Sequence, residues 1–220
     1  MEAVPSLGEL SWTISHSHGD AGAFHATDPA AQRSATFHTV DRPTLVLGSA
    51  QPDDAVDTRV ADALGVEVVR RRSGGGAVLL VPGEFVWLDL VIPAGDPLWS
   101  DDVGRAMVWV GELWQEALAH VDTEVHRRGL VPSAWSTAVC WAGVGTGEVL
   151  AGGGKLVGIS QRRTRSWARF QTMCHLRWRP EWVAALVAVP RPSAVEASPW
   201  AACAPSSAAD IVGGLTSALP

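Results

Sequence analysis

The chain has 220 residues, enough for one sizeable domain or a domain with a small appendage. Apolar residues make up 47% and charged ones 18%, which is too apolar for disorder, yet no run approaches the roughly 20 residues of a membrane span. The net charge of -6 disfavours general nucleic-acid binding. The start, Met1-Glu2-Ala3-Val4-Pro5, has neither the basic nor the apolar stretch of a signal peptide. Cys140, Cys174 and Cys203 are an odd number without metal-like spacing. A cytoplasmic protein without disulfides is therefore expected.

In chain order, residues 1–30 read as polar and irregular. Residues 44–48 form a short apolar run between Pro43 and Gly48 and read as a strand. Apolar residues at Val56, Val60, Ala63 and Leu64 give 53–64 a helical spacing that Gly65 stops. A second strand over 66–72 leads into a glycine run. Strands over 77–81 and 85–92 are joined at the turn Pro82-Gly83-Glu84. Asp101-Asp102 opens a long helix with apolar positions from Val103 to Leu118, the acids suiting its N-terminal dipole. Glu148-Val149-Leu150 and Leu156-Val157-Gly158-Ile159 read as a hairpin across Ala151-Gly152-Gly153-Gly154, and strand character resumes near 168–178. Pro180-Glu181-Trp182 starts a short helix, and 207–219 forms another after a Pro/Ala/Ser-rich connector over 190–206. The class is α+β, with a central mixed or antiparallel sheet flanked by helices. The expected division is a catalytic domain over 1–190 and a connector with a short helix over 191–220.

Two segments concentrate chemistry. Arg70-Arg71-Arg72-Ser73-Gly74-Gly75-Gly76 sets bidentate donors before three glycines, whose amides a ligand can approach closely, and so reads as an anion cradle for a nucleotide. It has neither the Gly-Lys-Ser/Thr of a P-loop nor the spacing of a dinucleotide fingerprint. The second segment, Gly152-Gly153-Gly154-Lys155-Leu156-Val157-Gly158-Ile159-Ser160-Gln161, holds the single lysine of a chain with sixteen arginines. A lysine that survives where arginine otherwise supplies the cations points to a site needing a compact ammonium. In strand geometry Lys155, Val157, Ile159 and Gln161 share a face, and from there the lysine can stabilise charge developing between a carboxylate and a phosphate.

Arg-Arg-Ser-Gly-Gly-Gly-Ala-Val at 71–78, followed by Gly-Lys-Leu-Val-Gly-Ile-Ser-Gln at 154–161, resembles the lipoate–protein ligase A and octanoyltransferase family. That family shares its catalytic fold with biotin–protein ligases. Leu45-Val46-Leu47-Gly48-Ser49-Ala50-Gln51 is similar to the family's first core strand and turn, so the resemblance covers roughly residues 40–180. It implies a ligase that activates lipoate or octanoate with ATP and Mg2+ as an acyl-adenylate, then acylates a lysine of a lipoyl carrier domain. The cradle of Arg70, Arg71, Arg72, Ser73, Gly74, Gly75, Gly76 and Ala77 would bind acid and nucleotide. Lys155 would hold the carbonyl and phosphate oxygens, and Gly158, Ser160 and Gln161 would complete that wall. Relatives often carry a His-Gly pair where Gln171-Thr172-Met173 stands here, and the larger ligases have an accessory C-terminal domain for which too few residues follow Trp178.

Cys140 opens an alternative, because the resembling transferase branch carries a nucleophilic cysteine in this region. Its thiolate would take octanoyl from an acyl carrier protein and hand it on without ATP. A non-catalytic acid-binding partner subunit is a further alternative. Arg162, Arg163, Arg165 and Arg169 suit docking of an acidic carrier domain, and equally a plain solvated edge strand. His16, His18, His25 and His38 lack ligand spacing, so they read as loop and surface residues with no metal. Cys174 and Cys203 read as structural, and Trp87 as a wall of an aliphatic tunnel. The oligomeric state is open.

Overall fold

A computed structural model of the chain describes residues 11–220, and a seven-stranded sheet forms its backbone. Its strands are β1 (Thr13–Gly19), β2 (Ser34–Val40), β6 (Phe85–Pro93), β10 (Trp167–His175), β9 (Gly154–Arg163), β8 (Val149–Ala151) and β7 (Glu124–Val125), in that spatial order. Only β1 and β2 run parallel. A smaller sheet places β3 (Thr44–Leu47) between β4 (Glu67–Arg70), parallel to it, and β5 (Val78–Leu80), antiparallel. The helices are α1 (Ala21–Ala26), α2 (Thr58–Leu64), α3 (Val103–Ala117), α4 (Pro180–Leu186), α5 (Ala194–Ala197) and α6 (Ala208–Ala218). The arrangement is the expected α+β class.

Strand periodicity sorts the two faces of the large sheet. Val86, Leu88, Leu90 and Ile92 of β6 point with Ala168 and Phe170 of β10 into a core closed by Val110 and Trp114 of α3 and by Ile211 and Leu215 of α6. Thr172 is buried on β10 yet satisfied, accepting from Trp114 Nε1 at 2.9 Å and donating to the Leu88 carbonyl at 2.8 Å. On the other face, Phe85, Trp87 and Met173 join a second core with the small sheet through Val46, Leu79 and Leu80.

Local chemistry fixes the element ends. Asp102 caps α3 by accepting from the Arg105 amide at 3.0 Å, and Gly65 ends α2 in the left-handed region at φ 64°. In the β8–β9 hairpin, Gly152 and Gly153 have φ of 55° and 85°, the pattern of a two-residue turn that favours glycine.

Several expectations are corrected. Residues 1–10 lie outside the described part, but 13–26 form β1 and α1 where irregular chain was expected. β1 is an edge strand exposed along most of its length, so it shows no apolar alternation, and α1 is too short to show helical periodicity. The helix expected over 53–64 divides into a 3₁₀ turn at Asp53–Ala55 and α2. β5 and β6 flank the turn at 82–84 but belong to different sheets. The 190–206 stretch contains α5, closed by a Ser193/Glu196 capping box, and a further 3₁₀ turn at Ser198–Trp200.

Candidate active site

β9 outruns β8, and the site follows from that mismatch. β8 pairs only with the first residues of β9, ending at Val149 opposite Val157. Beyond that point the outer edge of β9 has no strand partner. Glu148 fills the gap: its carboxylate accepts from the Ile159 amide at 3.3 Å and from the Gly145 amide at 2.6 Å. The same carboxylate lies 2.8 Å from Lys155 Nζ, with both side chains under 5% exposed. Nζ also donates to the Cys140 carbonyl at 2.7 Å and stands 5.5 Å from the Trp141 ring centroid. Glu148 was not singled out in the sequence. The available signal was a carboxylate just before a hairpin whose far strand opens with the only lysine.

The glycine segment is stitched to the stretch that leads into Cys140, the first residue of a 3₁₀ turn at Cys140–Ala142. The Ala77 amide donates to the Ala138 carbonyl at 2.9 Å, and the Cys140 amide to the Ala77 carbonyl at 3.0 Å. Gln51 ties in the turn after β3, accepting from the Gly48 amide and donating to the Thr137 and Ala138 carbonyls, all within 3.0 Å. These approaches need glycine: a Cβ on Gly76 would lie 2.6 Å from the Val139 carbonyl carbon, and one on Gly48 1.9 Å from the Gly75 oxygen. Gly158 similarly lets the six-membered ring of Trp141 approach β9 closely, since a Cβ there would stand 2.9 Å from it.

Two cavities meet at this junction. An apolar one of about 50 Å³ lies between the sheets, walled by Val46, Val78, Leu80, Trp87, Gly158 and Met173, with His25 and Gln171 also lining it. An open cleft of about 630 Å³ runs past glycines 74–76, Gln161, Glu148 and Lys155 to Val103 and Leu130. Cys140, Ile159 and Ser160 line both. Cys140 is half-buried, and its side chain is near enough to Arg71 for their charges to interact.

The three arginines have internal partners. Buried Arg71 lines the apolar cavity and donates to the carbonyls of Val46, Gly74 and Gly76 at 3.1, 2.6 and 2.8 Å, holding the loop in shape. Its burial lowers its pKa, and the Cys140 charge works the other way. Arg70 donates to the Gly48 and Gln51 carbonyls and to Asp53, while Arg72 pairs with Asp28 at 2.6 Å. Arg70 and Arg72 line neither cavity. Ser73 Oγ lies 3.1 Å from Ser160 Oγ, joining the two sequence segments directly. Ala77 packs in the core beside Val139 rather than in either cavity. Both polar atoms of the Gln161 amide are buried without a partner on the cleft side.

Other expectations shift. His25 and His38 are buried, not superficial. His25 accepts or donates through Nδ1 to Gln171 at 3.1 Å and stacks on Trp87 at 4.8 Å between centroids, and burial lowers its pKa to about 4. Trp87 does wall the apolar cavity, and its Nε1 donates to Asp89 at 2.7 Å. Burial pushes Asp89 upward, but His38 and Arg169 outweigh it and hold the carboxyl at about 2. Arg169 is therefore no docking residue: it is buried, paired to Asp89, and donates to the Phe24 and Thr27 carbonyls at 2.9 and 3.0 Å. Arg162 pairs with Asp28, and Arg163 stacks 4.3 Å from the Trp99 centroid. Cys174 is buried with its thiol pushed up to about 12 by desolvation, whereas Cys203 is exposed.

The mixed sheet thus carries an apolar cavity on one face, which opens beside a buried lysine and a glycine loop into a cleft. The family model for the lipoyl protein ligase A/B catalytic domain matches residues 22–210, and the chain belongs to that family. No curated protein matches. Among solved structures, the bi-partite lipoate protein ligase of Thermoplasma acidophilum, described together with its E2 lipoyl domain, is 14% identical with a TM-score of 0.70 over 93% of this chain and 80% of that one. A lipoate-protein ligase A bound with ATP is 16% identical, TM-score 0.67, over 89% and 73%. P. falciparum LipL1 in complex with lipoate is 8% identical, TM-score 0.66, over 94% and 61%. At these identities the likeness is one of fold. Among the described residues no helix is long and apolar enough to cross a membrane.

Proposed function

We propose that the chain transfers a medium-chain acyl group, octanoyl or lipoyl, to a lysine of a lipoyl carrier domain, with Cys140 as the nucleophile. The observation that carries this reading is the position of Cys140, which lines both the apolar cavity and the open cleft. An acyl tail in the cavity sets its carbonyl beside the thiol. The Cys140 thiolate attacks the thioester of an acyl carrier, the carrier's carbon–sulfur bond breaks, and the carrier thiol leaves with the proton Cys140 gave up. The acceptor lysine's amine then attacks the Cys140 thioester, an amide forms, and the amine's proton returns to the thiol. Lys155 has three donors, two of them engaged by Glu148 and the Cys140 carbonyl, and the third serves the acyl oxygen. Ser73, Ser160 and the glycines 74–76 shape the mouth, Gly158 the cavity wall, and Gln161 offers its unpartnered amide to the carrier arm.

The second reading is the ATP-dependent ligase, favoured by the glycine amides along the cleft. Mg-ATP fits the cleft poorly, however. Lys155 is the one cationic side chain among the described residues lining it, and Glu148 already neutralises it. A neutral, amide-rich carrier arm suits that lining better than a triphosphate. One assay separates the readings: apo lipoyl domain is incubated with octanoyl carrier alone, or with octanoate plus ATP and Mg2+, and its mass is read. Modification by octanoyl carrier alone, lost in Cys140→Ala, is expected. Modification only with ATP, retained in Cys140→Ala, would establish the ligase. No modification with either would favour an acid-binding partner subunit.

A further inference from the structure

β9 has an open backbone edge where the cleft runs. Its register against β8 slips at Leu156: Lys155 sits opposite Leu150, but Val157 opposite Val149. That bulge turns the strand, so Lys155 meets Cys140 and Trp141 on the small-sheet side, whereas Val157 and Ile159 pack into the core with α3. The bulge also decides which backbone groups face outward. The Ile159 amide points away from β10, since Glu148 accepts from it there. By the two-residue period of an antiparallel ladder, the Ile159 carbonyl and the Gln161 amide and carbonyl face the same way. Among the described residues no strand or isolated bridge pairs with them.

Ile159 and Gln161 line the cleft together with glycines 74–76 and with Val103 and Met107 of α3. Gln161 lies opposite Phe170, on the α3 side of the sheet, and its side-chain amide adds a buried donor and acceptor without partners. Such an edge accepts an extended chain that carries its own amides. A triphosphate has no donor to offer the two carbonyls. A peptide strand would send side chains alternately to its two faces, into the glycine loop and towards α3. The β-alanyl-cysteamine end of a pantetheine arm has the amides without the branches. We infer that the open edge of β9 is the track of the carrier's pantetheine arm. The amide nearest the sulfur donates to the Ile159 carbonyl, the next accepts from the Gln161 amide, and the thioester reaches Cys140, which lines the same cleft. This rests on the acyl-transfer reading and names the groups that recognise its donor.

The test is a series of octanoyl thioesters given to the intact protein without acceptor, with acylation of Cys140 followed by intact mass. S-octanoyl mercaptoethanol has no amide, S-octanoyl N-acetylcysteamine has one and S-octanoyl pantetheine has two. The second-order acylation rate should rise about fivefold with each amide, the gain of one net hydrogen bond. Gln161→Pro removes the outward N–H without breaking the ladder to β10, a placement that an edge strand tolerates. It should erase the advantage of pantetheine over N-acetylcysteamine, whereas Gln161→Ala, which keeps the backbone donor, should retain part of it. If the proline variant does not fold, the wild-type series decides alone. Equal rates for all three donors would overturn the track while leaving Cys140 as nucleophile. If Gln161→Pro then slowed only the hand-over to the lipoyl domain, the edge would belong to the acceptor's backbone instead. No acylation by any donor would remove the acyl-transfer reading itself, and the track with it.

Discussion

Lys155 and Glu148 form an ion pair of 2.8 Å inside the protein, each covered almost completely from solvent. Removing either partner strands the other charge, so Glu148→Leu should lower stability by about 3–5 kcal/mol. The double variant Lys155→Leu/Glu148→Leu should recover most of that loss while remaining inactive, because an apolar pair packs without a charge to desolvate. Chemical denaturation of the three proteins, alongside the carrier-domain mass assay, checks both halves. Full activity in the double variant would mean that neither group takes part in transfer.

Lys155→Arg should be severely impaired in transfer. A guanidinium is a planar fork, whereas this position places one compact ammonium between a carboxylate and the Cys140 carbonyl at 2.7 Å. Turnover near that of the wild type would refute the reading of the single lysine as a point-charge residue.

The glycines of the cradle should differ sharply among themselves. Gly76→Ala forces a Cβ to 2.6 Å from the Val139 backbone and should cost roughly 1–3 kcal/mol through overpacking. Gly74→Ala meets nothing within 4 Å, so its melting temperature should stay close to the wild type. Equal melting temperatures for the two variants would contradict the packing of 76–77 against 139–140.

Stability should fall as the solution is acidified below the ordinary histidine range. His25 and His175 are held neutral by burial, with pKa values lowered to about 4 and about 3. The unfolded chain therefore binds more protons than the folded one between about pH 6.5 and those values, and stability drops with pH through that window. For His25 the full effect is of order 3 kcal/mol. Asp89 adds a later loss, since its depressed carboxyl contributes stability above the unfolded value that disappears only as pH falls towards about 2. His175→Phe, which also removes a buried Nε2 without a partner, should flatten the urea-midpoint profile between pH 6.5 and 4. An unchanged slope in that variant would count against the buried-neutral assignment.

The long strands and the main helix were legible because their periodicity is local. Val86, Leu88 and Leu90 alternate with Phe85 and Trp87 on β6, and Asp102 announces α3 by its cap. β1 was not legible, since a strand exposed on both faces carries no apolar alternation. The same limit applied to the site. Order and spacing brought out the glycine loop and Lys155, but charge in a sequence does not say where it is spent. Arg70, Arg72 and Arg169 meet Asp53, Asp28 and Asp89, which lie between 17 and 80 residues away along the chain. Glu148, His25 and Gln171 join the site only through tertiary pairing, and no local pattern marks them.

The most direct test of Cys140 as nucleophile is the intact mass of the protein after incubation with octanoyl carrier and no acceptor. One octanoyl group, released by hydroxylamine and absent from Cys140→Ala, is the expected result. A protein that stays unmodified under those conditions, yet forms octanoyl-adenylate when given octanoate and Mg-ATP, would contradict it.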